Sequence, residues 1–253
     1  MLNIKNVTVN FGTKNVLKNL SCTVNGGDFI VIVGANGAGK STFFDLISGK
    51  VAPASGHVII DGTDVTSYSE TQRASMVTRL FQNPHLNSVG SMTVAQNLAM
   101  AHYGRRTVGL VNGMSGCNAQ QIEALLKPLD TDTTFIVQQR MNSLSGGQQQ
   151  LIAFIMSTLD IPKLLLLDEP TAALDPQAAT KLLTLAYQFT HTHKVTTLLI
   201  THDPLIALSI GNKIWVLEDG IITKQFNEAD KKNLHAQDLI GHIDYAAIKN
   251  GML

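Results

Sequence analysis

Cysteine is scarce. Cys22 and Cys117 are the only two in 253 residues, and they form no metal-ligand spacing. They read as simple buried or exposed thiols, and such sparse thiol usage suits a reducing compartment. Net charge is also missing: 19 basic residues balance 19 acidic ones, for a formal +0. No broad positive field is available to hold a nucleic acid, so none is expected as a partner. Long apolar runs are missing as well. The strongest, Phe29 to Val33 and Leu164 to Leu167, fall far short of the ~20 residues that span a bilayer. If the chain serves a membrane process, another chain must supply the spans. Met1 to Phe11 alternates and is regularly polar, unlike a secretory signal. There is no internal repeat and no low-complexity segment. What remains is 44% hydrophobic and 15% charged residues, the balance of a folded globular protein. The length suits one medium domain, or a core with a small subdomain, with enough chain to bury a substantial core.

Strands are expected at Ile4 to Val9 and Leu20 to Val24, followed by a turn at Gly26-Gly27. Phe29 to Val33 is a continuous apolar run rich in β-branched residues, the pattern of a buried parallel strand. A helix is expected from about Lys40 to Ser48. Asp61-Gly62 and Glu218-Asp219-Gly220 each sit between short apolar segments and signal hairpins. Between Asn83 and Asn142 the composition shifts toward Ala, Gln, Asn and Leu. Helical spacing at Val94 to Ala101 and Gln120 to Leu126 marks residues 83–142 as a mainly helical subdomain, with Gly104 to Gly116 as a loop inside it. Strand, helix and strand then follow at Leu164 to Leu167, Gln177 to Phe189 and Thr196 to Ile200. The tail, 224–253, is polar and partly helical.

Gly34-Ala35-Asn36-Gly37-Ala38-Gly39-Lys40-Ser41 fits G-x-x-x-x-G-K-[ST] at every fixed position, with a strand before it and a helix beginning within it. Its glycines let backbone N–H groups curl toward phosphate oxygens, and the helix start adds partial positive charge. Lys40 can reach the outer phosphates, Ser41 can ligate Mg2+, and Thr42 lies beside them. An ordinary glycine turn would not need both flanking elements. The loop signals a nucleoside triphosphate, though kinases, GTPases and motor ATPases all share it.

Leu144-Ser145-Gly146-Gly147-Gln148 stands before a second helix, from about Gln149 to Leu159. Ser before Gly-Gly is a good N-cap, which explains Ser145 but requires neither Leu144 nor Gln148. A hydroxyl and two glycine amides at a helix start also make an anion site. One chain then carries two such sites, and pairing two copies head to tail is the natural arrangement for them.

With both motifs in place, the sequence closely resembles the ABC ATPase family over nearly the whole chain up to about Gly220. The resemblance implies a P-loop α/β core with a parallel sheet, an antiparallel β subdomain and a helical subdomain, together a single domain over 1–253. It implies that Ser145, Gly146, Gly147 and Gln148 close on ATP held by the phosphate loop of a second copy, in an ATP-dependent homodimer. Leu164 to Leu167 with Asp168-Glu169 resembles the Walker B strand. Apolar residues bury the strand and deliver two carboxylates at its C-terminal end, where α/β folds place ligands. The resemblance implies that Asp168 holds Mg2+ through water, that Ser41 and Gln82 also serve the ion, and that Glu169 polarises the attacking water. His202, just past a strand, matches the histidine that contacts the γ-phosphate. Gln82 matches the Q-loop, with a polar turn residue before Asn83-Pro84 as the other reading. Asp175 matches a loop that contacts the partner copy, and before Pro176 it is also a good N-cap. Phe11 matches the aromatic that stacks on adenine, and a core phenylalanine is the competing reading.

The chain departs from many family members in having Gln148-Gln149-Gln150-Leu151 without the following arginine. Together with Ser91-Met92-Thr93-Val94, Asn97-Leu98-Ala99, Thr171 to Pro176 and Thr196 to Leu199, this resembles bacterial ATPases of tryptophan/tyrosine-type uptake systems. That subgroup implies permease subunits in the membrane, an extracytoplasmic solute-binding protein, and a place on the cytoplasmic face of the cell membrane. An exporter subunit or a single-cassette soluble assembly factor is the alternative, and a P-loop kinase is disfavoured by the second motif. Arg105-Arg106 reads as a solvated loop. His191 and His193, with no third ligand, read as exposed loop side chains.

Overall fold

A computed structural model describes residues 1–103, 126 and 133–243. Arg105-Arg106, Cys117 and most of the expected Gln120 to Leu126 helix lie outside them. In chain order the described elements are strands β1 (Leu2–Phe11), β2 (Lys14–Val24) and β3 (Phe29–Val33), then helix α1 (Lys40–Ser48). Strands β4 (Ser55–Ile60) and β5 (Thr63–Asp64), helix α2 (Glu70–Arg73), strand β6 (Val77–Leu80) and helix α3 (Val94–Tyr103) follow. Next come helices α4 (Thr133–Ile136) and α5 (Gly146–Thr158), strand β7 (Leu164–Asp168), helix α6 (Pro176–His193) and strand β8 (Thr196–Ile200). Helix α7 (Pro204–Ser209), strands β9 (Lys213–Glu218) and β10 (Ile221–Phe226), and helices α8 (Glu228–Lys231) and α9 (Ala236–Ile240) complete the series.

The chain forms two compact units. One is Met1–Arg79 with Lys163–Glu169 and Phe189–Leu253; the other is Leu80–Pro162 with Pro170–Gln188. In the first, a four-stranded antiparallel sheet runs β2-β1-β4-β5 and a six-stranded sheet runs β10-β9-β3-β8-β7-β6. Strand β3 is a continuous apolar run and β7 is one up to Asp168 because they lie inside the six-stranded sheet; β3 and β8 are buried at every position. The pairs β7–β8, β3–β8 and β3–β9 are parallel, which turns their C-terminal ends toward one edge. In β1 the alternation Leu2, Ile4, Val7, Val9 supplies the buried face, interrupted by bulges at which Asn6 adopts φ 51°. Leu17, Leu20, Val24, Phe43, Ile47, Val58 and Trp215 join the same core. Cys22 is buried there too, and burial pushes its thiol up to about 12, so it is an inert packing residue.

Both expected hairpins are present. Asp61 and Gly62 have φ 52° and 80°, and Asp219 and Gly220 have φ 47° and 80°, the paired left-handed conformations that close a two-residue turn. Strand β2 is longer than the expected Leu20 to Val24, because a bulge breaks the period that would mark Leu17 as its partner in burial. The tail folds back onto this unit. Leu239 and Ile243 are buried, and His242 Nδ1 meets Glu218 Oε1 at 2.6 Å.

In the second unit, residues 137–142 pair with 90–95 through Ala95 N–H to Val137 O, Met141 N–H to Met92 O and Asn142 N–H to Gly90 O. Asn97 is fully buried and satisfied. Its Oδ1 accepts from Val89 N–H at 2.8 Å, and its Nδ2 donates to Val89 O and Thr93 O at 3.0 Å. Helix α5 is buried from Gln149 to Ser157 and accordingly carries few polar positions there. Leu151 is one of its buried apolar residues.

Candidate functional site

Strand β3 ends at Val33 and the chain turns at once into the glycine loop. Gly34 passes so close to the Leu217 carbonyl that a Cβ would press into it. Gly39 ends the loop with φ 104°, a conformation open to glycine. It caps α1 without a side-chain hydrogen bond, and the first turn of α1 holds no acid. The positive end of the helix dipole is therefore left for an anion. Lys40 is buried and folds over the loop, its Nζ donating to Gly34 O at 2.7 Å and to Ala35 O at 3.0 Å. Asn36, Gly37 and Ser41 are exposed and Thr42 is half-buried. The loop is braced from the far end of the unit: Gly220 N–H donates to Ala38 O at 3.0 Å, and Gly220 O accepts from Lys18 N–H at 3.1 Å.

Two further strand ends meet this edge. Asp168 closes β7 in register with Ile200 of β8, which in turn pairs with Ile32 of β3. Glu169 follows with φ 46°, a left-handed conformation that costs a side-chain-bearing residue about 1–2 kcal/mol. Its N–H donates to Ile200 O at 3.1 Å, so the sheet holds the strained residue in place. Past β8, Asp203 N–H donates to Thr201 Oγ1, and Asp203 Oδ1 caps α7 by accepting from Leu205 and Ile206. His202 is fixed between them, with its Nδ1 3.3 Å from Glu169 Oε2. Each partner favours the other's charged form. The hydrogen bond from His202, aided by its charge and that of Lys40, outweighs burial and lowers the Glu169 pKa. The same bond, aided by the charges of Glu169 and Asp203, outweighs burial and the repulsion of Lys40 to raise that of His202. The loop, Lys40, Asp168, Glu169 and His202 thus share one edge of one sheet. The Ser41 hydroxyl and Asp168 carboxylate are hard oxygen donors of the kind a small divalent cation takes beside phosphate oxygens.

Sequence reasoning missed Arg79. Its side chain is 7% exposed, and it donates from Nη1 to Asp45 Oδ1 and from Nη2 to Asp168 Oδ2, each at 2.5 Å. Its guanidinium carbon lies 5.7 Å from the centroid of the Phe44 ring. The signal was an arginine inside the apolar stretch Met76 to Phe81, where a buried charge requires acceptors. Phe11 is 51% exposed at the β1–β2 turn, which removes the core reading of that residue.

The second unit holds Gln82, Ser145 to Gln148 and Asp175. Gln82 is exposed in the turn after β6. Its neighbours are pinned: Phe81 N–H donates to Asn87 Oδ1 and Phe81 O accepts from Gln150 Nε2, both at 2.9 Å. Ser145 caps α5 through a reciprocal box, its Oγ accepting from Gln148 N–H at 3.3 Å while Gln148 Oε1 accepts from Ser145 N–H at 3.1 Å. Local structure therefore does require Gln148, contrary to the expectation from the N-cap alone. Gly146 is exposed, and a Cβ on Gly147 would lie 2.8 Å from that of Ala178. Asp175 Oδ1 accepts from Ala178 N–H at 2.9 Å, capping α6. His191 and His193 fall in the last turn of α6, not in a loop, because the helix continues past Phe189. The His193 ring packs 4.8 Å from that of Phe189.

Residues 17–172 match a family model described as ABC transporter. A tyrosine transport ATP-binding protein of Clostridioides difficile (strain R20291) is 35% identical over 251 residues, covering 97% of this chain and 100% of that protein. The methionine import ATP-binding protein MetN 1 of Staphylococcus aureus (strain USA300) is 32% identical over 231 residues, covering 88% of this chain and 65% of that one. Among solved structures, a dimeric ATP-binding cassette in a post-hydrolysis state, bound to ADP and Pi, matches with TM-score 0.76 and 26% identity over 90% of this chain and 99% of the other.

Proposed function

The chain belongs to the ABC transporter ATP-binding family and is an ATPase, and from that premise we propose that it powers uptake of an amino acid or similar small solute. The observation that carries the hydrolytic part is the Glu169–His202 pair, standing at the same sheet edge as the phosphate loop. ATP is bound by its phosphates at Gly34, Asn36, Gly37, Gly39, Lys40, Ser41 and Thr42, with Phe11 exposed to stack on the base. Mg2+, when bound, would neutralise phosphate charge; the Ser41 hydroxyl would ligate it and Asp168 would hold it through water. Glu169, kept ionised by His202, accepts a proton from the attacking water, and His202 donates to the γ-phosphate. Uptake is inferred from the nearly full-length likeness to a tyrosine transport protein.

Two copies are proposed to sandwich two ATP molecules head to tail. Ser145, Gly146, Gly147 and Gln148 of one copy meet the nucleotide on the loop of the other, and Asp175 lies along the shared surface. ATP closes the pair and hydrolysis opens it. Permease subunits receive this motion on the cytoplasmic face of the membrane, and an extracytoplasmic binding protein delivers the solute. Co-purification from detergent-solubilised membranes, followed by reconstitution in vesicles, tests the reading. Solute accumulating on the side that carries this subunit supports import. Solute leaving that side makes the chain an exporter subunit, and recovery with soluble partners alone makes it an assembly factor.

A further inference from the structure

The geometry around Arg79 points to a role that rests on the assignment of Asp168 as a metal ligand. We propose that Arg79 is a positioning residue: it fixes the Asp168 carboxylate so that one oxygen is presented to the divalent ion that accompanies the nucleotide. Arg79 lies in β6, between Thr78, which is buried, and Leu80, which is fully so. A guanidinium withdrawn from water needs anionic partners to remain there. It has two, from two different elements. Asp45 belongs to α1, four residues and so one helical turn after Ser41, and Asp168 ends β7. One rigid, planar fork thus ties the helix that begins the phosphate site to the strand that ends in the metal carboxylate. The buried Phe44 ring beneath it limits where the fork can turn.

The placement of the two carboxylates separates this role from general bracing. Arg79 donates to Oδ2 of Asp168. A carboxylate with one oxygen committed has its plane set before any cation arrives. Asp45 has a second cation near it, since Lys50 Nζ lies 3.8 Å from the same Oδ1 that Arg79 contacts. Removing Arg79 therefore leaves Asp45 partly compensated, and the loss falls mainly on Asp168.

The test is equilibrium binding of ADP by the full-length chain while free Mg2+ is varied, which needs no turnover. In excess EDTA, the Arg79→Met variant should bind ADP as the parent does, which certifies its fold and phosphate loop. The free Mg2+ that gives half of the metal-dependent gain in affinity should rise about 10- to 100-fold, the usual loss when a group orienting a metal ligand is removed. Arg79→Lys, which cannot span both carboxylates, should fall between. Asp45→Asn should move the midpoint in the same direction by less. An unchanged or lowered midpoint in a folded Arg79→Met chain overturns the proposal. If that variant does not fold, the lysine and asparagine variants decide it: both shifted upward supports positioning, and neither shifted refutes it. A parent chain whose ADP affinity ignores Mg2+ overturns the metal assignment of Asp168, and this proposal with it.

Discussion

Helix α1 starts on Gly39 with no side chain across its end, whereas α5 starts on Ser145 inside a closed capping box. Both are glycine-rich helix starts, and both fall among residues proposed to touch ATP. An anion reaching α1 meets a helix end that no side chain caps, and only Lys40 must leave the carbonyls of Gly34 and Ala35. An anion reaching α5 through the Ser145 hydroxyl competes with the bond from Gln148 N–H, and such a cap contributes about 1 kcal/mol. The difference gives the two starts an order of engagement. The first can take free nucleotide from solution, and the second is suited to joining a nucleotide that is already held.

Glu169→Gln freezes the comparison at its most informative point. ATP binding and dimerisation should persist while turnover falls at least ~10²-fold in a steady-state phosphate-release assay; turnover at the parent rate would remove Glu169 from the chemistry. In that background, Lys40→Ala should weaken ATP binding about 10- to 100-fold by calorimetry, the scale of lost charge-assisted bonds. Ser145→Ala should leave single-chain ATP affinity alone, weaken ATP-driven dimerisation, and cost about 1 kcal/mol in urea unfolding. A Ser145 variant that loses ATP affinity in the monomer would erase the proposed order. Of similar size is the strain at Glu169: Glu169→Gly should be more stable than Glu169→Ala by about 1 kcal/mol, since only glycine adopts φ 46° freely. The smallest effect concerns pH. Glu169 is depressed from an ordinary 4.5 and His202 raised from 6.5. Their mutual stabilisation is therefore fully present between those values. It is lost as pH falls through the lowered Glu169 value, and as pH rises through the raised His202 value. The gap in melting temperature between the parent and His202→Ala should be widest in that window and narrow on both sides.

Local chemistry made much of the fold legible. Strands β3 and β8 and helix α1 have the bounds their residues suggest, and both Asp-Gly turns close hairpins, because burial on both faces and left-handed turn residues leave direct marks. The Ser145-x-x-Gln148 capping spacing was equally readable, and the same residues serve both the cap and the proposed phosphate contact. Arg79 shows what single positions cannot tell. Its need for acceptors was visible, but Asp45 and Asp168 lie 34 and 89 residues away and reach it only through the tertiary fold, which sets β6 beside β7.

The brace at Gly220 bears on how the protein is made. The glycine loop lies early in the chain, yet the carbonyl of Ala38 finds its partner only in the turn between β9 and β10, and both neighbours of β3 in the sheet, β8 and β9, come from beyond residue 195. A chain still on the ribosome therefore carries the whole glycine motif long before it carries a finished nucleotide cradle. Until synthesis passes Ile200 the apolar β3 has no flanking strand, until it passes Glu218 it has at most one, and this interval is when the nascent chain has most need of a chaperone.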